Sequence, residues 1–544
     1  MSQELTESGK IPVPLTNMAV SLSGGGYRAT TFHLGALSYL DYRKHKDMPL
    51  LENVSIISTI SGGTLTGVMY ALKLAQGETF TDCFHKLYKL LSENNLVDLA
   101  LEKLNKPDKW KNKYKTRDLI NAFSEVYNEH FFDEATFSTL RNGKQTHLQD
   151  AVFGTSEFTT GLQFRLQKDE DGGRFGNRNL NIPDSAADEI RLADAAAASS
   201  CFPGGFEPMI MPADFDNGPD STIEKAWFQK LATDDLYQET AIMDGGIIDN
   251  QGIEGVKKTE ERRRRDSGSP YIGTFIISDV SSAKMAPYPV PKLKYGGLKN
   301  LFTLRRINSL VITLSLIIVL LLAMGFASFW GIVAGTVVLT LSAIWFIVYW
   351  LISEALTNQV VKMFSNAESP ELLNHLKVLK KTPLYILIYL VKFRVTSVLK
   401  MVSDIFLRRI RALEISDLYE SDQWNYRIKG NNIYTLEDDI KKLPKEMQAV
   451  ICAANTMPTT LWWSEQNIAE MKQDNLIACG QFTMCSNLKR YIDTLREGHL
   501  KEKVWDHLDA IQQKDINELH TVLCEDWASF EKDPFWLLKQ YKKS

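Results

Sequence analysis

The stretch NMAVSLSGGGYRATTFHLGALSYLDYRK, residues 17–44, decides the fold. Asn17–Ser23 is an apolar run that predicts a strand, and the pattern from about Thr30 to Lys44 predicts a helix. Between them stand Gly24, Gly25 and Gly26. Residues without a Cβ let backbone N–H groups converge on one point, and a following helix N-terminus adds positive potential. Such a loop can hold a phosphate or an oxyanion. Gly24-Gly25-Gly26-Tyr27-Arg28-Ala29 also satisfies a loose GxGxxG/A pattern, but a dinucleotide site needs a carboxylate ending the second strand. That strand, Asn53–Thr59, runs into Ser58-Thr59-Ile60-Ser61 with no carboxylate. No Lys-Ser/Thr pair closes the loop, so a phosphate-binding P-loop is excluded as well. An oxyanion hole remains.

Further along, Ser61-Gly62-Gly63 leads from the second strand into a helix around Leu65–Ala75. A serine at such a junction, flanked by small residues, has the layout of a nucleophile elbow; a plain Ser-Gly-Gly turn is the competing reading. Strand patterns recur at Gly161–Gln167, Glu239–Asp244 and Tyr271–Val280. Alternation of strands with helices predicts an α/β fold with a mostly parallel central sheet. Asp244 closes its strand just before Gly245 and Gly246, and carboxylates at strand C-termini in open α/β sheets fall on the ligand side. Brought near Ser61, it would give a serine nucleophile a carboxylate base; an Asp-Gly turn is the alternative.

The chain has 544 residues, 62 Lys+Arg against 66 Asp+Glu, and a net charge of −4, which gives no pull toward nucleic acid. Six cysteines (83, 201, 452, 479, 485 and 524) form no CxxC pair and suit a reducing compartment. No cluster with metal-ligand spacing is visible, and no cofactor is expected. The mean hydropathy of −0.18 conceals one concentration of apolar residues. From Ile307 to Ser353 nothing is charged. A membrane span needs about 20 apolar residues, and two spans fit, at about Ser309–Ala327 and Gly331–Ile352, with Phe329, Trp330 and Gly331 as a turn between them. Lys292, Lys294, Lys299, Arg305 and Arg306 precede the first span, so the positive-inside rule puts both flanks in the cytoplasm. A buried helical pair is the alternative. The opening MSQELTESGK lacks a secretion-signal pattern.

At about Leu384–Leu413 an apolar start gives way to Lys392, Arg394, Lys400, Arg408, Arg409 and Arg411, which fits either an interfacial amphipathic helix or a core-packed one. The Arg262–Arg265 run reads as a solvated helix face, with anionic headgroups as the other option. Core-like patterns return at Asn431–Leu436 and Met447–Trp463, and Trp505, Trp527 and Trp536 are core candidates in the tail. The expected layout is a catalytic domain over 1–300 with a helical cap or insertion at 81–135, a hairpin at 301–355, amphipathic helices at 356–415, a second catalytic part at 416–500 and a helical tail at 501–544.

The three segments together resemble the patatin-like phospholipase family, whose members carry G-G-G-x-R/K-G, G-x-S-x-G and D-G-A/G. The matching positions are Gly24, Gly25, Gly26 and Arg28, then Ser61 with Gly63, then Asp244, Gly245 and Gly246; Ala198–Pro208 resembles the family's A-S-x-x-x-P-G-x-F-x-P stretch. Ala29 and Thr59 replace family glycines. The resemblance implies a three-layer sandwich, here interrupted by a two-helix transmembrane hairpin. It implies a bacterial-type serine acyl hydrolase of (lyso)phospholipids, which the hairpin, not part of the usual family core, would anchor at the inner membrane with its catalytic domain cytoplasmic. Ser61 would attack, Asp244 would take the proton, the glycine loop would hold the oxyanion, and Arg28 would orient that loop or meet a lipid phosphate. Partners would be the bilayer (through 309–352) and its phospholipid, with no nucleic acid; oligomerisation is left open. A neutral-lipid lipase or acyltransferase of the same fold, a degenerate membrane scaffold, and a Ser-His-Asp hydrolase using His375 are the competing readings. His33, three residues into its helix, reads as structural.

Overall fold

The computed structural model describes residues 11–110, 112–168, 175–231, 239–281, 288, 297–323, 328–363, 381–498 and 504–543. Two units divide the chain: residues 286–401 form one, and the segments on either side of them form the other.

In the larger unit the apolar runs become strands β1 (Met18–Leu22), β2 (Val54–Ile60), β3 (Asp150–Glu157), β4 (Gln163–Lys168), β5 (Thr240–Asp244), β6 (Thr274–Asp279) and β7 (Ile428–Asn432). The central order is β7-β6-β1-β2-β3-β4, parallel from β7 to β3, with β4 antiparallel. The period-two alternation of β1 divides its side chains between two cores: Met18, Val20 and Leu22 join the larger cluster, and Ala19 joins a smaller one on the opposite face. The larger cluster is covered by helices α1 (Gly26–Tyr42), α2 (Gly62–Ala75), α3 (Phe80–Glu93), α4 (Leu96–Asn105), α5 (Leu119–Val126) and α6 (Leu192–Ser200). The smaller lies under α7 (Ile253–Ser267), with Ile253 and Val256 facing in.

The register of β3 positions the site. Its residues 150–154 pair in parallel with β2, and residues 155–157 pair antiparallel with β5. The two strands therefore run toward each other along one edge of β3, and the ends Ile60 and Asp244 meet opposite Gly154 and Thr155. Asp244 thus arrives on an antiparallel strand, and the simple parallel-sheet rule gave the correct end of a strand for a different topological reason.

The smaller unit contains α8 (Leu304–Ala323), α9 (Phe329–Met363) and α10 (Leu384–Lys400). Among the described residues one helix is long and apolar enough to cross a membrane, Phe329–Leu351 within α9. The expectation of two spans therefore rests on one qualifying helix; α8 opens with Arg305 and Arg306, and residues 324–327 lie outside the described set. Phe329, Trp330 and Gly331 belong to the first turn of α9 rather than to a connecting turn, because Ser328 caps the helix: its Oγ accepts the Gly331 N–H at 3.0 Å. Helix α10 carries an exposed apolar row, Ile388, Val391, Val395 and Val398. Lys292, Lys294 and His375 fall outside the described residues.

After residue 401 the chain returns to the larger unit through α11 (Leu407–Glu420), β7, α12 (Lys445–Asn455), α13 (Lys472–Glu497) and α14 (Ala510–Lys532). The returning strand occupies Ile428–Asn432, shifted from the 431–436 pattern, because Arg427 anchors its start. Buried at 0% exposure, Arg427 donates to Glu260 of α7 at 2.6 Å and to the Ile272 carbonyl at 2.8 Å. The Arg262–Arg265 run is a solvated face only at Arg265: Arg262 and Arg263 both reach Asp150, which is buried beneath them, and Arg264 stacks 3.5 Å over Tyr271. Trp505, Trp527 and Trp536 pack, half-buried, against the larger core.

Candidate active site

Ser61 links β2 to α2 with φ 52° and ψ −122°, a conformation costly for a residue with a Cβ. The surroundings impose it. The Ser61 N–H donates to Ser199 Oγ at 2.9 Å; that hydroxyl donates to the Gly154 carbonyl at 2.8 Å and shares a hydrogen bond with Thr64 at 2.9 Å. Ser199, on α6, thus ties the elbow to β3. Thr59, where the family pattern has glycine, sits inside β2 and donates to Thr64 at 3.1 Å. Its methyl group fits because Gly67, two turns into α2, presents no side chain: a Cβ there would collide with Thr59 Cγ2.

The glycine loop lies directly against the elbow. A Cβ on Gly62 would strike the Gly26 carbonyl oxygen, and one on Gly63 would come within 2.5 Å of the Leu22 carbonyl oxygen. Of the three loop glycines, Gly24 donates its N–H to the Asn250 carbonyl at 3.1 Å, so it anchors the loop rather than offering a free donor. The N–H groups of Gly25 and Gly26 meet no acceptor among the described residues. Tyr27 N–H is taken by the Thr460 carbonyl at 2.7 Å. What is left at this helix start is a pair of unclaimed donors beside Ser61.

Asp244 is 3% exposed and accepts the Gly246 N–H at 2.7 Å, while Gly245 packs against the Gly154 carbonyl. The Ser61 side chain lies beside its carboxylate. Burial pushes the Asp244 carboxyl up to about 6, against the downward pull of the Gly246 N–H, the Ser61 hydroxyl and the charge of Arg411. A carboxylate near that value is ionised at neutral pH yet basic enough to take a proton.

Arg28 does not face open solvent. It donates to the Met457 carbonyl at 3.0 Å and to Thr459 at 3.2 Å, holding the returning chain over the loop. Burial, and then the nearby Arg411, push it down to about 10, against the pull of Asp279. His33 is fully buried, its two nitrogens bonded to Ser278 Oγ and the Ser23 carbonyl, each at 3.0 Å, and burial pushes it down to about 4. That leaves it neutral and without a nitrogen for Ser61.

Residues 20–256 match the model of the patatin-like phospholipase family. They form a patatin-like phospholipase domain. No curated protein matches the chain. At family level the domain is a lipid acyl hydrolase, and its mixed α/β build with a mostly parallel sheet is that of the patatin fold.

Several residues around the patatin-like site carried no separate signal in the sequence. Ser199 lay within a motif stretch without a stated task. Asp249, five residues after Asp244, is fully buried; it accepts the Ile253 and Glu254 N–H groups, each at 2.9 Å, and Gln163 at 3.1 Å. Facing it is Glu414 of α11, pushed up to about 10 by burial and then by the Asp249 charge, so that Glu414 keeps its proton beside the Asp249 carboxylate. Thr460 works through a backbone carbonyl, which any residue could supply.

Proposed function

We propose that the chain is a membrane-anchored serine acyl hydrolase that cleaves fatty-acyl esters of phospholipids or lysophospholipids. Ser61 Oγ attacks the ester carbonyl as Asp244 takes its proton, and the Gly25 and Gly26 N–H groups receive the developing oxyanion. Asp244 then returns the proton to the leaving alcohol. Water, deprotonated by the same carboxylate, releases the fatty acid from Ser61. The observation that carries this reading is the strained Ser61 hydroxyl set against a buried carboxylate, with two unclaimed N–H groups alongside.

For anchoring, the support is the Phe329–Leu351 segment, whose 23 residues span about 35 Å at helical rise, enough for the hydrocarbon core. Leu341 and Trp350 there are each 60% exposed. Holding the site at a bilayer raises the local concentration of acyl ester. With Lys299 before α8 and Arg305 and Arg306 in its first turn, the larger unit belongs on the cytoplasmic side.

Fatty-acid release from mixed phospholipid vesicles, in chelator, tests the chemistry. Ser61→Ala and Asp244→Asn should each lower the rate by roughly a thousandfold or more. Turnover that persists in Ser61→Ala would overturn the assignment of the nucleophile. Turnover that persists in Asp244→Asn would overturn that of the base. For anchoring, the full chain should remain with membranes after an alkaline wash, and its release would count against a span.

A further inference from the structure

Helix α11 presents Arg411 and Glu414 one turn apart, and the two reach different walls of the site. Glu414 meets Asp249, in the segment that follows Asp244-Gly245-Gly246. Arg411 meets Asp279, the last residue of β6, at 3.8 Å. That strand end adjoins the glycine loop: the Ser23 N–H donates to the Ser278 carbonyl at 3.0 Å, the Val280 N–H donates to Ser23 Oγ at 3.1 Å, and a Cβ on Gly25 would come within 2.7 Å of the Val280 side chain.

We propose that Arg411 is the residue that binds the phosphodiester of the substrate, so that α11 gives the site its preference for phospholipids over neutral glycerides. The inference rests on the acyl-hydrolase reading above and names the group that selects its substrate.

Four observations carry it. The hydrogen bonds of Asp279 are filled without Arg411, which offsets its charge only from a distance: it accepts Gln251 at 2.7 Å, the Ser281 N–H at 2.9 Å and the Ser281 hydroxyl at 2.8 Å. The Arg411 contact, at 3.8 Å, lies beyond hydrogen-bond distance, and its buried Nε meets no partner among the described residues. The other guanidinium of the site, Arg28, is committed to Met457 and Thr459. Arg411 and Arg28 repel one another, and Arg411 also draws Asp244 downward, so the cation is felt at the dyad itself. The Asp279 carboxylate is buried with its hydrogen bonds already filled, and the open donors of Arg411, a planar fork, suit a phosphate.

The test compares kcat/KM for a phospholipid and for a diacylglycerol of the same acyl chains, both in mixed micelles. Arg411→Gln should lower the phospholipid-to-diacylglycerol ratio about tenfold to a hundredfold, the loss expected for charge-assisted hydrogen bonds, with Arg411→Lys restoring part of it. The change should fall mainly on KM for the phospholipid. Equal losses on both substrates, or an unchanged ratio, would overturn the proposal. Thermal melting of each variant separates misfolding from selectivity, and glycerophosphocholine supplies a readout on the wild type, where it should inhibit diacylglycerol hydrolysis competitively. If inorganic phosphate alters diacylglycerol turnover in an Arg411-dependent way while the substrate ratio stays fixed, the cation serves free phosphate and the substrate assignment fails. Loss of all turnover in Ser61→Ala, with the Arg411 ratio unmoved, would leave the acyl-hydrolase reading standing and remove only this one.

Discussion

Residues 20–256 and the residues that return after position 401 build one sheet and one site, but they do so by different physical means. The first region carries the proposed chemistry in short motifs: glycines where backbones touch, a serine in a strained turn, an aspartate at a strand end. The second carries no motif. It supplies a carbonyl from Thr460 to Tyr27, carbonyl and hydroxyl acceptors for Arg28 from Met457 and Thr459, Arg411 beside Asp279, and Arg427 beneath the sheet edge. A collision of backbones admits only glycine, so it leaves a mark in the sequence. A backbone carbonyl or a packed helix face can come from many residues, so the enclosure of the site leaves almost none. The family match ends at 256 for a chain whose site is completed by residues some two hundred positions later.

The strongest test of whether the two regions form one folding unit is the pair Arg427 and Glu260, which ties the returning residues to α7, the helix in which the first region ends, in a fully buried setting. Removing one partner leaves a charge with no water and no counter-ion, a cost of about 3–5 kcal/mol. Arg427→Met should therefore lower the melting temperature of the larger unit as one transition, and fatty-acid release should disappear at the same temperature. Adding Glu260→Met should recover most of the loss, because the buried carboxylate goes too. If Arg427→Met melts only the returning segment and spares the rest, the two regions are separate and the comparison breaks.

A second test sets chemistry against stability at one residue. Asp244 has its pKa raised from 3.8 to about 6 by burial. A raised carboxyl pKa means that the folded state is penalised once the group ionises: the penalty is absent below the unfolded value near 3.8, grows as pH rises, and is complete above about 6. The shift corresponds to about 3 kcal/mol. Asp244→Asn should thus be more stable than the wild type at pH 8, by about 1–3 kcal/mol, and no more stable at pH 3.5, as read by thermal melting. Wild-type activity should fall as pH drops through about 6, where the base becomes protonated. A flat activity profile from pH 5 to 8 would separate Asp244 from the proton transfer.

How much of this was legible depended on periodicity and on sterics. The strands and the α/β class followed from apolar runs alternating with helical patterns, and the elbow from Ser61 between small residues. The antiparallel approach of β5 was hidden, since strand direction is set by pairing with β3 and not by the residues of β5 itself. Arg262 and Arg263 read as solvated because a run of four arginines is commonly so, and nothing local announces that Asp150 lies buried beneath them. Phe329–Gly331 read as a turn because aromatics favour interfaces, whereas the helical start is fixed by Ser328. The Glu414–Asp249 pair, 165 positions apart, is a tertiary event with no local signal.

Ser199 offers the finest comparison, because it belongs to a motif yet acts only on geometry. Its hydroxyl receives the Ser61 N–H and passes a hydrogen bond to the Gly154 carbonyl, so it fixes the turn from behind and touches no substrate. Ser199→Ala removes those bonds and leaves a buried N–H and a buried carbonyl unpaired, at a cost of about 1–2 kcal/mol in stability. Relaxation of the elbow should displace Oγ from Asp244 and from the Gly25 and Gly26 donors, lowering kcat about tenfold with little change in KM, since misplacement of a reacting atom acts on the chemical step. Ser199→Thr, which keeps the hydroxyl, should restore part of kcat if its methyl group is tolerated; Ser199→Cys, a weaker acceptor of similar size, should fall between Ser and Ala. A change confined to KM would mean that Ser199 shapes the acyl pocket instead. The positioning role is therefore separable from packing by the order Ser, Cys, Ala in kcat, which volume alone would not produce.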